Sequence, residues 1–224
     1  MKGDNLSDAA ISAFAHSYGE LISGKSGMIL ESDISAVPSL PGLDEDIKGN
    51  FTFDPSLLQK TVVLKLNGGL GTSMGLDKAK SLLEVKNGDT FLDLTAKQVI
   101  SMRKDFKSNV NFMLMNSFNT STDTLSFLAK YPVLVDDPKI ELVQNKVPKI
   151  DKATMQPAVW AINPNNEWCP PGHGDLYTAL YGSGKLDELL ADGVIYMFVS
   201  NSDNLGATLD TGELTTTMNN SCCC

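Results

Sequence analysis

Short apolar runs rich in β-branched residues alternate with stretches of helical periodicity along most of this chain, and that alternation restricts its fold more than any other feature. Thr61 to Leu66 reads as a strand, Ser81 to Lys86 as another, and Asn87-Gly88-Asp89-Thr90 as the turn that opens a helix over about Phe91 to Phe106. The pattern continues with a strand at Asn111 to Asn116, a helix at Ser121 to Lys130, a strand at Ile140 to Gln144, a helix at Asp175 to Leu190 and a buried strand at Val194 to Val199. Strands separated by helices build a mainly parallel sheet with helices on both faces, a Rossmann-like α/β fold. Ligands in such sheets bind beyond the carboxyl ends of the strands.

The first strand runs directly into Leu66-Asn67-Gly68-Gly69-Leu70-Gly71-Thr72-Ser73-Met74-Gly75, with Lys80 shortly after. Glycines at this density allow several backbone N–H groups to face one anion with no side chain between, so the stretch reads as a phosphate cradle. It has neither the glycine spacing of the dinucleotide-binding fingerprint nor the Gly-Lys-Ser/Thr ending of the P-loop. On composition alone it could equally be a chain reversal.

Charge and length narrow the reading. With 224 residues, 42% of them hydrophobic, one substantial core can form. A net charge of −9 argues against nucleic acid as a partner, and a phosphate site must then be a local patch of amides and lysines set against the global field. No uninterrupted apolar window long enough to span a bilayer occurs, and the N-terminus lacks a basic region followed by an apolar core, so a cytoplasmic protein with no membrane partner is expected. Cys169 precedes a terminal run of Cys222, Cys223 and Cys224, whose adjacency does not suit a zinc site. An amphipathic helix from about Ser7 to Ser23 and a Pro-, Gly- and acid-rich connector over residues 31–50 lead into the alternating region.

The string from Leu64 to Ser81 resembles the nucleotide-binding loop of UTP–glucose-1-phosphate uridylyltransferases, also called UDP-glucose pyrophosphorylases. The resemblance recurs at Pro170-Pro171-Gly172-His173-Gly174-Asp175 and at Ser200-Asn201-Ser202-Asp203-Asn204-Leu205-Gly206-Ala207-Thr208, in the family's order and at about its spacing. Ser73 stands where the related acetylhexosamine enzymes usually carry arginine, which favours the glucose-type branch. The resemblance implies a nucleotide-diphospho-sugar transferase fold and a Mg²⁺-dependent uridylyl transfer from UTP to glucose 1-phosphate. It assigns nucleotide binding to Leu66, Asn67, Gly68, Gly69, Lys80, Gln144, Gly172 and Asp203. Sugar-phosphate binding falls to Gly68, Gly69, His173, Asn201, Ser202 and Asp203, catalysis to Lys80 and Asp203, and the metal to Asp203. Ala79 replaces the family's usual proline before the lysine and leaves that backbone bond freer.

Members of this family are about twice this long, and the resemblance ends near Asp210. The expected division is an N-terminal helix and connector (1–50), a partial, truncated catalytic domain (51–210) and a tail unlike the family (211–224). Three readings follow: the uridylyltransferase itself; a fragment that holds nucleotide without turnover, because a second active-site lysine belongs to the family's other half; and a non-catalytic interaction protein, which the presence of Lys80, His173 and Asp203 opposes. Self-association through an uncovered sheet edge is also expected.

Overall fold

The computed structural model describes residues 1–39, 42, 54–71, 75–76 and 78–209. In chain order the elements are α1 (Asp8–Ile22), α2 (Ser56–Gln59), β1 (Thr61–Asn67), β2 (Glu84–Lys86), β3 (Asp89–Thr90), α3 (Phe91–Asp105), β4 (Asn111–Asn116), α4 (Ser121–Leu128), α5 (Pro132–Val135), β5 (Glu141–Val143), β6 (Val147–Pro148), β7 (Trp168–Cys169), α6 (Asp175–Gly182), α7 (Lys185–Ala191) and β8 (Tyr196–Asn201).

Four strands form one sheet in the order β5-β4-β1-β8, and every pair in it is parallel. Val62-Val63-Leu64 and Phe112-Met113-Leu114-Met115 are continuous apolar runs because both of their faces are covered. Alternation along the strands sends Val63, Phe112 and Leu114 to one side, against Leu92, Ala96 and Val99 of α3 and Leu128 and Leu134 of α4 and α5. Val62, Leu64, Met113 and Met115 face the other side, under Leu176, Ala179 and Leu180 of α6 and Leu189 of α7. The chain leaves β1 toward β4 and β5 and returns to β8 on the opposite flank of β1. The winding therefore reverses at β1, and the carboxyl ends of β1 and its neighbours frame the crevice where doubly wound sheets take ligands.

The α/β architecture with helices on both faces is the one expected, and among the described residues the antiparallel strand pairs are the ribbons β2–β3 and β6–β7, beside isolated antiparallel bridges at Leu70–Ala79 and Ile150–Pro157. Several boundaries differ. Ser81 and Leu82 lie in a 3-10 turn at Lys80–Leu82, so the strand expected from Ser81 is only Glu84–Lys86. The single helix expected from Asp175 to Leu190 is two, because Gly184 adopts φ 78°, a left-handed conformation that cannot continue a helix. The last strand begins at Tyr196 rather than Val194 and is half-buried rather than buried, since among the described residues it pairs with β1 alone.

Helix ends follow their capping residues. Ser7 caps α1 by accepting from the Ala10 N–H at 3.2 Å. Thr90 and Asp93 form a reciprocal capping box on α3, with the Asp93 N–H donating to Thr90 Oγ1 at 3.1 Å and the Thr90 N–H to Asp93 Oδ2 at 2.9 Å. Of the expected connector, residues 31–39 are exposed and carry a short turn at Glu31–Asp33. Most of residues 40–53, Thr72 to Met74 of the glycine loop, and the 211–224 tail with its three cysteines lie outside the described residues.

Candidate functional site

The end of β1 is fastened before the glycine loop begins. Asn67 is buried, and its Nδ2 donates to Asn116 Oδ1 at 2.7 Å and to Thr124 Oγ1 at 2.9 Å, while its carbonyl accepts from Thr120 Oγ1 at 2.9 Å. Its side-chain Nδ2 is thus spent on β4 and α4. Beyond it the chain doubles back on itself. Leu70 bridges Ala79 in antiparallel fashion, the Gly71 N–H donates to the Lys78 carbonyl at 3.3 Å, and the Lys80 N–H donates to the Gly69 carbonyl at 3.2 Å. These bonds, with Ala79 buried between them, bring Lys80 alongside the glycines without a proline.

Gly68 is tied to two distant parts of the chain. A Cβ built on it would stand 2.6 Å from Gln144 Oε1 and 3.5 Å from Ser117 Cβ, so only glycine lets the buried Gln144 side chain come this close. Gln144 follows β5, and its Nε2 donates to the Gly172 carbonyl at 2.5 Å. Gly172 holds φ 108°, again a conformation for glycine. A side-chain amide carries two N–H groups and a carbonyl, so one bond to Gly172 leaves donor and acceptor capacity for a ligand edge. Gly69 is different: among the described residues a Cβ there would meet no atom within 4 Å.

Asn145, the next residue, donates its backbone N–H to Asp175 Oδ2 at 2.7 Å and its Nδ2 to Asp175 Oδ1 at 2.9 Å. Burial pushes the Asp175 carboxyl above the usual carboxylate range, against the two bonds from Asn145, which pull it down. His173, between Gly172 and Gly174, is exposed in the turn that opens α6.

On the other flank, the Ser202 N–H donates to the Leu66 carbonyl at 3.0 Å, which sets the loop after β8 beside the start of the glycine loop. Ser202 is buried, whereas Asn201 and Asp203 are exposed. That loop is held from beneath by Lys65, whose buried Nζ donates to Ser200 Oγ at 2.7 Å and to the Ala207 carbonyl at 2.9 Å, and by Gln98 Nε2, which donates to the Leu205 carbonyl at 3.3 Å. Burial pulls the Lys65 ammonium below its ordinary range.

The residues singled out in the sequence therefore gather into three linked groups at the strand ends: Gly68 with Gln144 and Gly172, Gly69 with Lys80, and Leu66 with Ser202 and Asp203. Asn145, Asp175 and Lys65 were not singled out. Lys65 had a signal, a lone cation inside an apolar strand. Asp175 had none beyond its place in the Gly172–Asp175 motif.

The sequence pattern of the UTP–glucose-1-phosphate uridylyltransferases matches residues 11–224. The chain belongs to this family. A uridylyltransferase from Solanum tuberosum is 41% identical over 215 residues, which cover 92% of this chain and 44% of that protein. The Saccharomyces cerevisiae enzyme is 46% identical over 157 residues, 69% of this chain and 31% of that protein. Among solved structures, a UDP-glucose pyrophosphorylase variant from Leishmania major in complex with UDP-glucose superposes with a TM-score of 0.92 at 52% identity, covering 99% of this chain and 46% of that one. The Trypanosoma brucei protein gives a TM-score of 0.91 at 50% identity, over 98% of this chain and 47% of that one. The chain thus spans less than half the length of these relatives.

Proposed function

We propose that the crevice at the ends of β1, β5 and β8 binds UTP and glucose 1-phosphate, and that the chemistry it serves is uridylyl transfer: a phosphate oxygen of the sugar phosphate attacks the α-phosphorus of UTP, and pyrophosphate leaves. The observation that carries the reading is Gln144, buried and fixed between Gly68 and Gly172 at the point where the winding reverses. An amide so held can meet the donor and acceptor of a pyrimidine edge and penalise a base that leaves them unpaired.

The attacking atom belongs to the substrate, so the protein supplies alignment and charge compensation. Backbone amides from Leu66 to Gly69 receive the nucleotide, Lys80 neutralises the departing phosphates, and His173 and Asn201 address the sugar phosphate. Among the described residues no group of three or more His, Cys, Asp or Glu side chains could hold a metal ion. Asp203, exposed and without a hydrogen bond or ion pair among those residues, suits Mg²⁺ bound through one carboxylate and the nucleotide's own phosphates, where the ion would offset their negative charge. No helix among the described residues is long and apolar enough to cross a membrane.

The test is to incubate the purified chain with UTP, glucose 1-phosphate and Mg²⁺ and to follow pyrophosphate release beside a UTP titration. Saturable UTP binding is the expected result, and an absence of both binding and product would overturn the reading. Coverage of less than half the relatives' length favours a second reading, binding without turnover, which the same experiment reports as affinity with no pyrophosphate. Ile195 and Val199 are exposed on and beside β8, an edge strand among the described residues, so light scattering should report self-association.

A further inference from the structure

Both oxygens of the Asp175 carboxylate are spent on one residue of a different loop. An aspartate at the start of a helix ordinarily accepts from the N–H groups of its own first turn. Asp175 instead takes the backbone N–H and the side-chain amide of Asn145, thirty positions earlier, at 2.7 and 2.9 Å. Asn145 is bonded to Gln144 through the chain, and Asp175 follows Gly172 by three residues, so this two-pronged contact lies beside the single bond from Gln144 Nε2 to the Gly172 carbonyl. The pair also lines a cavity of about 400 Å³ under α1, together with Phe14, Tyr18, Val147 and Thr178. Gly68, Gln144 and Gly172 do not line that cavity.

We propose that Asn145 and Asp175 are a positioning pair that fixes the spacing between Gln144 and Gly172 and so sets the base selectivity of the site. The proposal rests on the reading of the crevice as a uridine-nucleotide site. The Gln144 N–H donates to the Asn116 carbonyl at 2.7 Å and its Nε2 to the Gly172 carbonyl, but these two bonds alone would leave the loop beyond Gln144 some freedom against the Gly172 turn. Two further bonds, both to a charged acceptor, remove that freedom before any ligand arrives. A ligand base then meets an amide whose orientation is already set.

The chemistry of the pair supplies its own control. In Asp175→Asn, the introduced amide still accepts the Asn145 N–H, and the Asn145 amide must turn over to accept from its Nδ2, so both bonds lose their charged acceptor. In Asn145→Asp, two carboxylates face each other. The exchanged double variant N145D/D175N restores both bonds, because the amide now at the helix start accepts the backbone N–H and donates to the carboxylate opposite it.

The experiment titrates UTP and ATP against the full chain and its three variants, and follows amide hydrogen exchange at Asn145 and across Gly172–Gly174 without ligand. Each single substitution should weaken UTP on the order of tenfold, the worth of a hydrogen bond to a charged group, and reduce the preference for UTP over ATP. The exchanged variant should recover both affinity and preference and restore slow exchange, which a general loss of stability would not do. Single variants with wild-type preference, or an exchanged variant no better than the worse single, would overturn the proposal. Wild-type protein that does not distinguish UTP from ATP would count against the functional reading. In that case the ligand-free exchange decides: loss of protection in the singles and its return in the double supports the pair's role, and unchanged protection overturns it.

Discussion

The two flanks of the crevice are built differently. Around Gln144 the chain is fastened: its Nε2 bonds Gly172, its neighbour Asn145 is gripped by Asp175, and Gly68 leaves no room for a Cβ. Around Gly69 and Asp203 the side chains are less engaged, since among the described residues a Cβ on Gly69 would meet no atom within 4 Å and Asp203 is exposed above a loop that Lys65 and Gln98 hold from beneath. The contrast fits the ligand classes each flank would meet. A base is recognised by a few directional bonds that lose value if the partners can turn away. Phosphates are recognised by charge, which tolerates looser geometry and is completed by the ligand and its cation.

That difference can be broken most sharply at Gly69. A Cβ there touches no atom of the described residues, so Gly69→Val should leave the melting temperature unchanged while filling space meant for the nucleotide. UTP affinity should fall on the order of 100-fold, about 2.7 kcal/mol, by titration calorimetry. Equal affinity would remove the glycine loop from the site. Gly68→Ala tests the fastened flank. The added methyl must displace Gln144 Oε1 from 2.6 Å, and the easiest route breaks the bond to Gly172. We expect a loss of about tenfold confined to uridine nucleotides, with ATP affinity unaltered. A uniform loss for both bases would mean that Gln144 does not discriminate.

The smallest effect concerns the scaffold away from the crevice. Burial raises the Asp93 carboxyl, but hydrogen bonds from Lys130, Tyr131 and Thr90 outweigh it and hold the group below its ordinary 3.8. A carboxyl depressed by folding stabilises above its unfolded pKa, and that contribution is lost as pH falls below about 3.8 toward the folded value. Asp93→Asn should cost about 1 kcal/mol at neutral pH and flatten the acid limb of the stability curve, with UTP affinity untouched. A variant that melts with the same acid dependence as wild type would show that the capping box is not the titrating element.

Much of this architecture was legible in the residues, for reasons that differ by element. β1 and β4 announce themselves because strands covered on both faces must be continuously apolar, and Thr90 with Asp93 marks a helix start by chemistry alone. The break between α6 and α7 was missed because the apolar residues keep helical spacing across it, and only the left-handed Gly184 ends the run. In the crevice, the glycine loop could be located but not its division of labour. Composition cannot distinguish a glycine required by a neighbour, as Gly68 is by Gln144, from one that faces open space, as Gly69 does. The Asn145–Asp175 contact was invisible for a similar reason, since residues 30 apart give no periodic signal of their meeting.

The central claim is that the strand-end crevice of this chain receives a uridine nucleotide. Amide NMR of the chain during titration with UTP and Mg²⁺ tests it most directly. The account predicts saturable shifts at Gly68, Gly69, Lys80, Gln144, Gly172 and Asp203, a much weaker response to ATP, and none at Leu128 and Leu134 on the far side of the core. Shifts absent from those six residues, or matched by ATP at the same concentrations, would contradict it.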